Sequence, residues 1–223
     1  MLNRNIIDDV FGVDNFFKDN NWFYQIRIND YQLVTIVWNL ILILVPFIIA
    51  WFLLRYWRQT GFSGLGRKLL VVILWFFWFL FIPNTVYVIS EVRHLINFCP
   101  VNSPYQICEK NAWMVLFFFT YASIGWVAFV MLLNQMKRLV GYMFGNFLSL
   151  IYVVITIPII ALGFLLGLVQ RWNSWEIFIY PLSFFNNAKL YWTDARHFTN
   201  WLIFTTFLYI FYIAGYFLFK ERE

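Results

Sequence analysis

Charged side chains are scarce in this sequence. They make up 12% of its 223 residues, whereas 62% of the residues are hydrophobic and 24% are aromatic. A soluble globular domain carries roughly 25% charged residues, so the composition predicts an integral membrane protein. The formal net charge of +5 does not indicate nucleic-acid binding, because the basic residues lie mostly between apolar runs, where they report membrane topology.

Histidine and cysteine are also rare, with two of each. His94 and His197 form no grouping with cysteine that has zinc-site spacing, and the sequence holds no nucleotide-binding loop, serine nucleophile motif or HExxH motif. Cys99 and Cys108 lie in one predicted loop. They are expected to form a disulfide if that loop faces an oxidising compartment; the alternative is two unrelated small residues.

The beginning of the chain lacks the basic start and apolar core of a cleavable signal peptide. Residues 1–30 hold five aspartates, and residues 5–19 have the periodicity of an amphipathic helix. We therefore interpret 1–30 as a polar, amphipathic segment at the outer interface. Residues 31–219 are then a single transmembrane helical domain, and residues 220–223 are a cytoplasmic tail.

Five apolar runs are long enough to cross a bilayer core, which requires about 20 helical residues. They occupy residues 33–54, 69–90, 113–133, 147–169 and 201–219. The predicted fold is all-α, a polytopic transmembrane helical bundle with about five spans. A sixth span would require residues 175–190 to cross, but the apolar part, Trp175–Phe185, is too short and is expected to lie at the interface or to re-enter.

The basic residues orient these spans. Residues 55–68 carry four basic residues, three glycines and no acid, which is typical of a cytoplasmic loop. The N-terminus is therefore expected outside and the C-terminus in the cytoplasm.

One polar stretch, residues 81–95, marks the point where the second span leaves the membrane. If it is helical, four polar side chains share one face: Asn84, Tyr87, Glu91 and His94. A second polar stretch, residues 170–176, follows the fourth span. Because both stretches belong to the outer end of the bundle, we expect them to meet.

The candidate binding residues are Asn39, Asn84, Tyr87, Arg171 and Asn173. Asn39 and Asn84 each lie about 9 Å inside the outer leaflet, at ~1.5 Å per helical residue. They could line a site, or they could bond between helices without further function. Asn173, with Glu176 three residues later, is also typical of a helix cap.

Glu91, His94 and Glu176 are candidates both for catalytic acid–base groups and for metal ligands. A Glu-x-x-His pattern on a helix points both side chains the same way, although a salt-bridged turn at the bilayer edge is the alternative. No cofactor is predicted, and a bound metal ion is left as an open alternative. Arg171 is expected to pair with Glu91 or with Glu176.

Three blocks together resemble a family. They are residues 38–40 followed by Pro46, residues 83–95, and residues 171–176. In this order they are similar to the bacterial membrane family called domain of unknown function 1361, over about residues 33–219. The resemblance implies a bacterial cytoplasmic (inner) membrane and supplies no reaction. Members typically carry aspartate where Glu91 and Glu176 stand, and many begin with an extra span where this chain has residues 1–30.

Two functions remain open. The first is a membrane-complex component that docks lipids or other membrane protein subunits through a polar cluster at the outer face. The alternative is an outer-face enzyme acting on a lipid-linked substrate, with Glu91 or Glu176 as acid or base, His94 as partner, and Arg171 holding an anionic group. A transporter fits less well, because the sequence shows no inverted repeat and no charged residue at mid-depth.

Overall fold

A computed structural model describes residues 26–28, 31–60, 64–93 and 112–219. The chain divides into two compact units, Met1–Ile41 and Leu42–Glu223. In the first unit, strands β1 (Arg27–Ile28) and β2 (Tyr31–Gln32) pair antiparallel, and helix α1 (Leu33–Thr60) begins directly after β2. The rest of α1 belongs to the second unit.

The described part of the second unit continues with further helices. They are α2 (Leu65–Phe81), α3 (Pro83–Ser90), α4 (Trp113–Phe144), α5 (Asn146–Gln170), α6 (Glu176–Ile179), α7 (Pro181–Thr193) and α8 (Ala195–Phe219). A single residue, Gly145, separates α4 from α5 and adopts a φ of 89°. That left-handed backbone conformation favours glycine, and it turns the chain sharply between two long helices.

The predicted all-α bundle is confirmed, and the protein is a multi-pass membrane protein. Five helical stretches are long and apolar enough to cross a bilayer: Leu33–Gln59, Leu65–Arg93, Trp113–Phe144, Asn146–Gln170 and Ala195–Phe219. Several extend beyond the predicted spans. Hydropathy marks only the part in contact with lipid tails, whereas helical hydrogen bonding continues through the headgroup layer on either side.

Residues 175–190 do not form another span. They lie in α6, with 4 residues, and α7, with 13 residues, and both helices are shorter than the roughly 20 residues that crossing requires. Pro181 begins α7 at its first turn, where the missing N–H of proline is tolerated. The location of these helices at the membrane interface stays a prediction.

Prolines have two different effects on the spans. Pro83 separates α2 from α3, as predicted, whereas Pro158 lies inside a continuous α5. Because proline has no N–H, the carbonyl four residues earlier loses its helical bond. That carbonyl belongs to Val154, and it accepts a hydrogen bond from the hydroxyl of Tyr209 on α8. The indole of Trp201 donates to the carbonyl of Pro158 at 2.9 Å, so α8 compensates for the proline in α5.

The core of the second unit lies among α3, α4, α5 and α8, which pack against one another. Its largest fully buried side chains on α4 and α5 include Phe129, Met136 and Ile157. Many large apolar side chains on the outside of the bundle are exposed. That pattern is expected of helices whose outer faces contact lipid instead of water.

Candidate functional site

The polar stretch begins at the break between α2 and α3. Two side chains complete the hydrogen bonding there: Asn84 Nδ2 donates to the carbonyl of Phe81 at 2.9 Å, and Thr85 Oγ1 donates to that of Ile82 at 2.8 Å. Carbonyls at a helix end lack partners within the helix. The side chains at the start of α3 therefore cap the end of α2, so Asn84 has a structural role independent of any ligand.

Asn84 also connects the two polar stretches. Its Nδ2 donates to the hydroxyl oxygen of Ser174 at 3.3 Å, across 90 positions of sequence. The prediction that residues 81–95 and 170–176 meet is confirmed by this contact. Ser174 was not among the predicted site residues, although it lies within the second block.

Two glycines hold α3 against its neighbours. A Cβ at Gly125 on α4 would lie 2.6 Å from the backbone oxygen of Thr85, and a Cβ at Gly163 on α5 would lie 2.8 Å from Cγ of Pro83. Cβ atoms do not approach other heavy atoms this closely, so only glycine permits these contacts. Small residues at such crossings are typical of transmembrane helix packing, and here they fix the position of the helix that carries Asn84 and Tyr87.

Glu91 follows α3 in a short 3₁₀ turn over residues 91–93, and its side chain is only 2% exposed. The guanidinium of Arg93, which is 33% exposed, lies 3.5 Å from its carboxylate. Arg93 also donates to the hydroxyl of Tyr87 at 3.2 Å and lies over the Tyr87 ring, 5.6 Å from its centroid. A buried carboxylate is thus paired with a cation whose outer part reaches the surface.

Glu176 is the first residue of α6, directly after the N-cap Trp175. It is buried, and its Oε2 accepts a hydrogen bond from the backbone N–H of Asn173. The bond spans three residues, as in a capping box, but Asn173 lies two residues before the N-cap Trp175. The interpretation of Asn173 as the N-cap of this helix was therefore wrong, because Trp175 takes that position and no side chain caps the helix.

The prediction that Arg171 forms an ion pair with Glu91 or Glu176 was wrong. In the part of the chain that the structure describes, Glu91 pairs with Arg93 instead, and Arg171 is exposed without a carboxylate partner. Arg171 caps the end of α5 with a φ of 58°. This left-handed conformation turns the chain away from the axis of α5. Arg93, by contrast, is close to Glu91 because the two residues belong to the same 3₁₀ turn.

Four predicted residues cannot be placed in this site. Asn39 is buried on α1, and its Nδ2 has no hydrogen-bond partner among the described residues. Its expected proximity to Asn84 stays a prediction. His94, Cys99 and Cys108 lie outside the described residues, so the metal role of His94 and the disulfide are untested.

The described residues contain no group of three or more His, Cys, Asp and Glu side chains that could hold a metal ion. Of the metal candidates, Glu91 and Glu176 are described, and each has a protein partner. Glu91 lies seven residues beyond Asn84, about 10 Å along the helix direction at ~1.5 Å per residue. The two carboxylates have different partners, the Arg93 guanidinium for Glu91 and the Asn173 backbone N–H for Glu176.

A second polar group lies at the junction of α7 and α8. Asp194 Oδ1 accepts the backbone N–H groups of Arg196 and His197, each at 3.0 Å, and lies 2.8 Å from Nδ1 of His197. These bonds, led by the one to the His197 side chain, hold the pKa of the Asp194 carboxyl below its ordinary value. The His197 ring packs edge-on against Tyr191, and burial raises the pKa of Tyr191 to about 12.

A family model described as "Protein of unknown function (DUF1361)" matches residues 38–213. The chain belongs to the DUF1361 family. The family match confirms the resemblance given above, and it contains every candidate site residue of this DUF1361 protein, from Asn39 to Glu176. No curated protein and no solved structure matches the chain.

Proposed function

We propose that this DUF1361 protein is a non-enzymatic component of a membrane complex, which docks a partner that bears an anionic group. The docking surface is the polar cluster formed by Asn84, Glu91, Arg93, Arg171 and Ser174. The observation that carries the proposal is the exposed side chain of Arg171, which pairs with no carboxylate among the described residues, three positions before the Ser174 that bonds Asn84.

The charges of the cluster favour binding over acid–base chemistry. Glu91 pairs with Arg93, and Glu176 accepts a backbone N–H, so both carboxylates have protein partners. Arg171 is exposed, whereas Arg93 is one-third exposed and pairs with Glu91. Guanidinium groups bind carboxylates and phosphates through paired hydrogen bonds, which suits an acidic side chain or a phosphate of the partner.

The rigidity of α3 supports the same function. Glycine contacts hold this helix against α4 and α5, and its own side chains complete the hydrogen bonds at its start. A surface that is already ordered loses less conformational entropy on binding than a flexible loop does. The cluster is therefore preorganised for a partner.

We place the cluster at the outer face of a bacterial cytoplasmic membrane. The acid-free basic segment 55–68 supports this orientation through the positive-inside rule. Cys99 and Cys108 follow the cluster in the chain, so they test the orientation. After reduction of intact cells, a membrane-impermeant thiol reagent should label them. Labelling that occurs only after lysis would place the cluster in the cytoplasm.

The docking function is tested by reversing one charge. The protein is purified from its native membranes in mild detergent and its stoichiometric companions are identified by native mass spectrometry. Arg171→Glu should lose the companion bound at the cluster, because the exposed cation becomes repulsive to an anionic group. Arg196→Glu, which reverses another exposed arginine, is the matched control and should retain it. Equal retention by both variants would contradict the proposal.

The enzyme alternative has one supporting observation, the almost complete burial of Glu91 beside Tyr87 and Arg93. Glu91→Gln separates the two functions. If the variant keeps the fold and the companion but loses the phenotype that deletion of the gene produces, the carboxylate performs chemistry. If it keeps the phenotype as well, the carboxylate only balances the charge of Arg93.

A further inference from the structure

The other end of the bundle carries a basic surface with no acid in the same stretches of sequence. Neither residues 32–90 nor residues 110–175 contain an aspartate or glutamate. Six basic residues lie in these stretches near the end of α1, the start of α2 and the last third of α4: Arg55, Arg58, Arg67, Lys68, Lys137 and Arg138.

A groove of about 400 Å³ opens between α1 and α4 within this basic region. It is lined by Trp57, Arg58 and Gln59 from α1 and by Tyr142 from α4. The groove is shallow and largely open to its surroundings. Tyr142 lies about 25 Å along α4 from Gly125, at ~1.5 Å per residue, so the groove and the polar cluster are separated by nearly the thickness of a bilayer core.

The lining groups match a phosphate. Arg58 is exposed and pairs with no carboxylate within the described ranges, and a guanidinium can hold two phosphate oxygens at once. The amide of Gln59 and the hydroxyl of Tyr142 are further donors. The Arg55 guanidinium lies 5.4 Å from the centroid of the Trp51 ring. Since Arg55 precedes Arg58 by three residues, it adds a second cation to the same face of α1.

The surroundings of the groove favour a lipid over a soluble phosphate. Below Arg55, α1 exposes Ile48, Trp51 and Phe52, and beside Tyr142 the chain exposes Phe144 and Phe147. Acyl chains can lie along these side chains while the headgroup occupies the groove. Basic pockets between transmembrane helices are known to suit anionic headgroups, and tryptophan and tyrosine favour the interfacial layer.

We infer that the groove lined by Trp57, Arg58, Gln59 and Tyr142 binds the phosphate of an anionic phospholipid. This site is distinct from the polar cluster and does not depend on the function proposed for it. The lipid binds at the bilayer surface on the other side of the membrane.

The test uses the delipidated full-length protein in detergent. Phosphatidylglycerol or phosphatidylcholine is added in mixed micelles, and bound lipid is counted by native mass spectrometry. We expect phosphatidylglycerol to be retained in preference to phosphatidylcholine. Loss of a charge-assisted hydrogen bond should weaken binding roughly tenfold or more in Arg58→Gln, and Tyr142→Phe should weaken it by a smaller factor.

Arg138→Gln is the matched control, because it removes an exposed arginine from the same helix as Tyr142 without altering the lining of the groove. It should bind the lipid as the unmodified protein does. Equal weakening by Arg58→Gln and Arg138→Gln would mean general charge attraction and would overturn the site. Displacement of the lipid by excess inorganic phosphate would overturn the assignment to a lipid. Size-exclusion profiles verify that each variant is folded.

Discussion

Replacing Gly125 with alanine directly tests how α3 is held in place. The substitution adds one methyl group at the crossing of α3 and α4. The added Cβ would lie 2.6 Å from the backbone oxygen of Thr85 and 3.1 Å from the backbone nitrogen of Ile89. Neither atom can rotate away, because both belong to the main chain of α3. The helices must therefore move apart, and the contacts around the crossing loosen.

The expected magnitude follows from two opposing terms. Forcing an extra methyl group into a packed contact costs about 1–3 kcal/mol, whereas alanine improves helix propensity over glycine by about 1 kcal/mol. Since the contact is with backbone, the first term should be near its upper end. We expect Gly125→Ala to lower the free energy of unfolding by about 1–2 kcal/mol.

Gly141→Ala is the matched control on the same helix. Its added Cβ would meet Asn146 and Ser149 at 3.7 Å, which is ordinary van der Waals contact, so only the gain in propensity remains. Unfolding in mixed micelles of increasing denaturing detergent, followed by circular dichroism, measures both variants. If Gly125→Ala is as stable as Gly141→Ala, the close approach of α3 and α4 is wrong.

Three further predictions follow from side chains outside that contact. Arg171→Ala should change the free energy of unfolding by no more than about 1 kcal/mol, because an exposed arginine contributes little. Arg196→Ala should behave in the same way. A clearly larger loss of stability for Arg171→Ala in thermal unfolding would indicate that Arg171 forms a buried ion pair. Tyr209→Phe should cost about 1 kcal/mol in the same assay, because it leaves the Val154 carbonyl without its donor; an unchanged melting temperature would contradict that bond. The lowered pKa of Asp194 means that its ionised form stabilises the fold above about pH 4, and this contribution is lost as the pH falls through the folded-state value. Hydrogen-exchange protection factors in the first turn of α8, which are corrected for the intrinsic exchange rate at each pH, should therefore fall in acid, and Asp194→Asn should remove that pH dependence.

The spans were predictable because they depend on composition over about 20 residues, which a single sequence contains. The break at Pro83 was predictable because proline removes a donor whatever surrounds it. Helical periodicity also placed Asn84, Tyr87 and Glu91 on one side of the stretch. Depth along each span then brought residues 81–95 and 170–176 to the same end of the bundle, and the bond between Asn84 and Ser174 agrees with that reasoning.

The partners within the cluster were not predictable by the same means. Depth gives the level of a side chain but not its direction, so it favoured Arg171 and did not identify Arg93 as the partner of Glu91. Arg171 adopts a left-handed backbone conformation, and an arginine gives no local sequence signal for it, because that conformation is usual for glycine and asparagine. The contacts of Gly125 and Gly163 depend on where helices cross. A small residue within a span was the only available sign of them.

The polar residues of the cluster also stabilise the fold, and this limits the functions that the cluster can have. Asn84 caps α2 and bonds Ser174, Glu176 satisfies the amide of Asn173, and Glu91 balances Arg93. A group that must accept and release protons during catalysis would repeatedly disturb the helix ends that these bonds stabilise. A group that only binds need not change its protonation state. On the proposed function, the same residues maintain the fold while Arg171, which takes part in none of these bonds, meets the anionic partner.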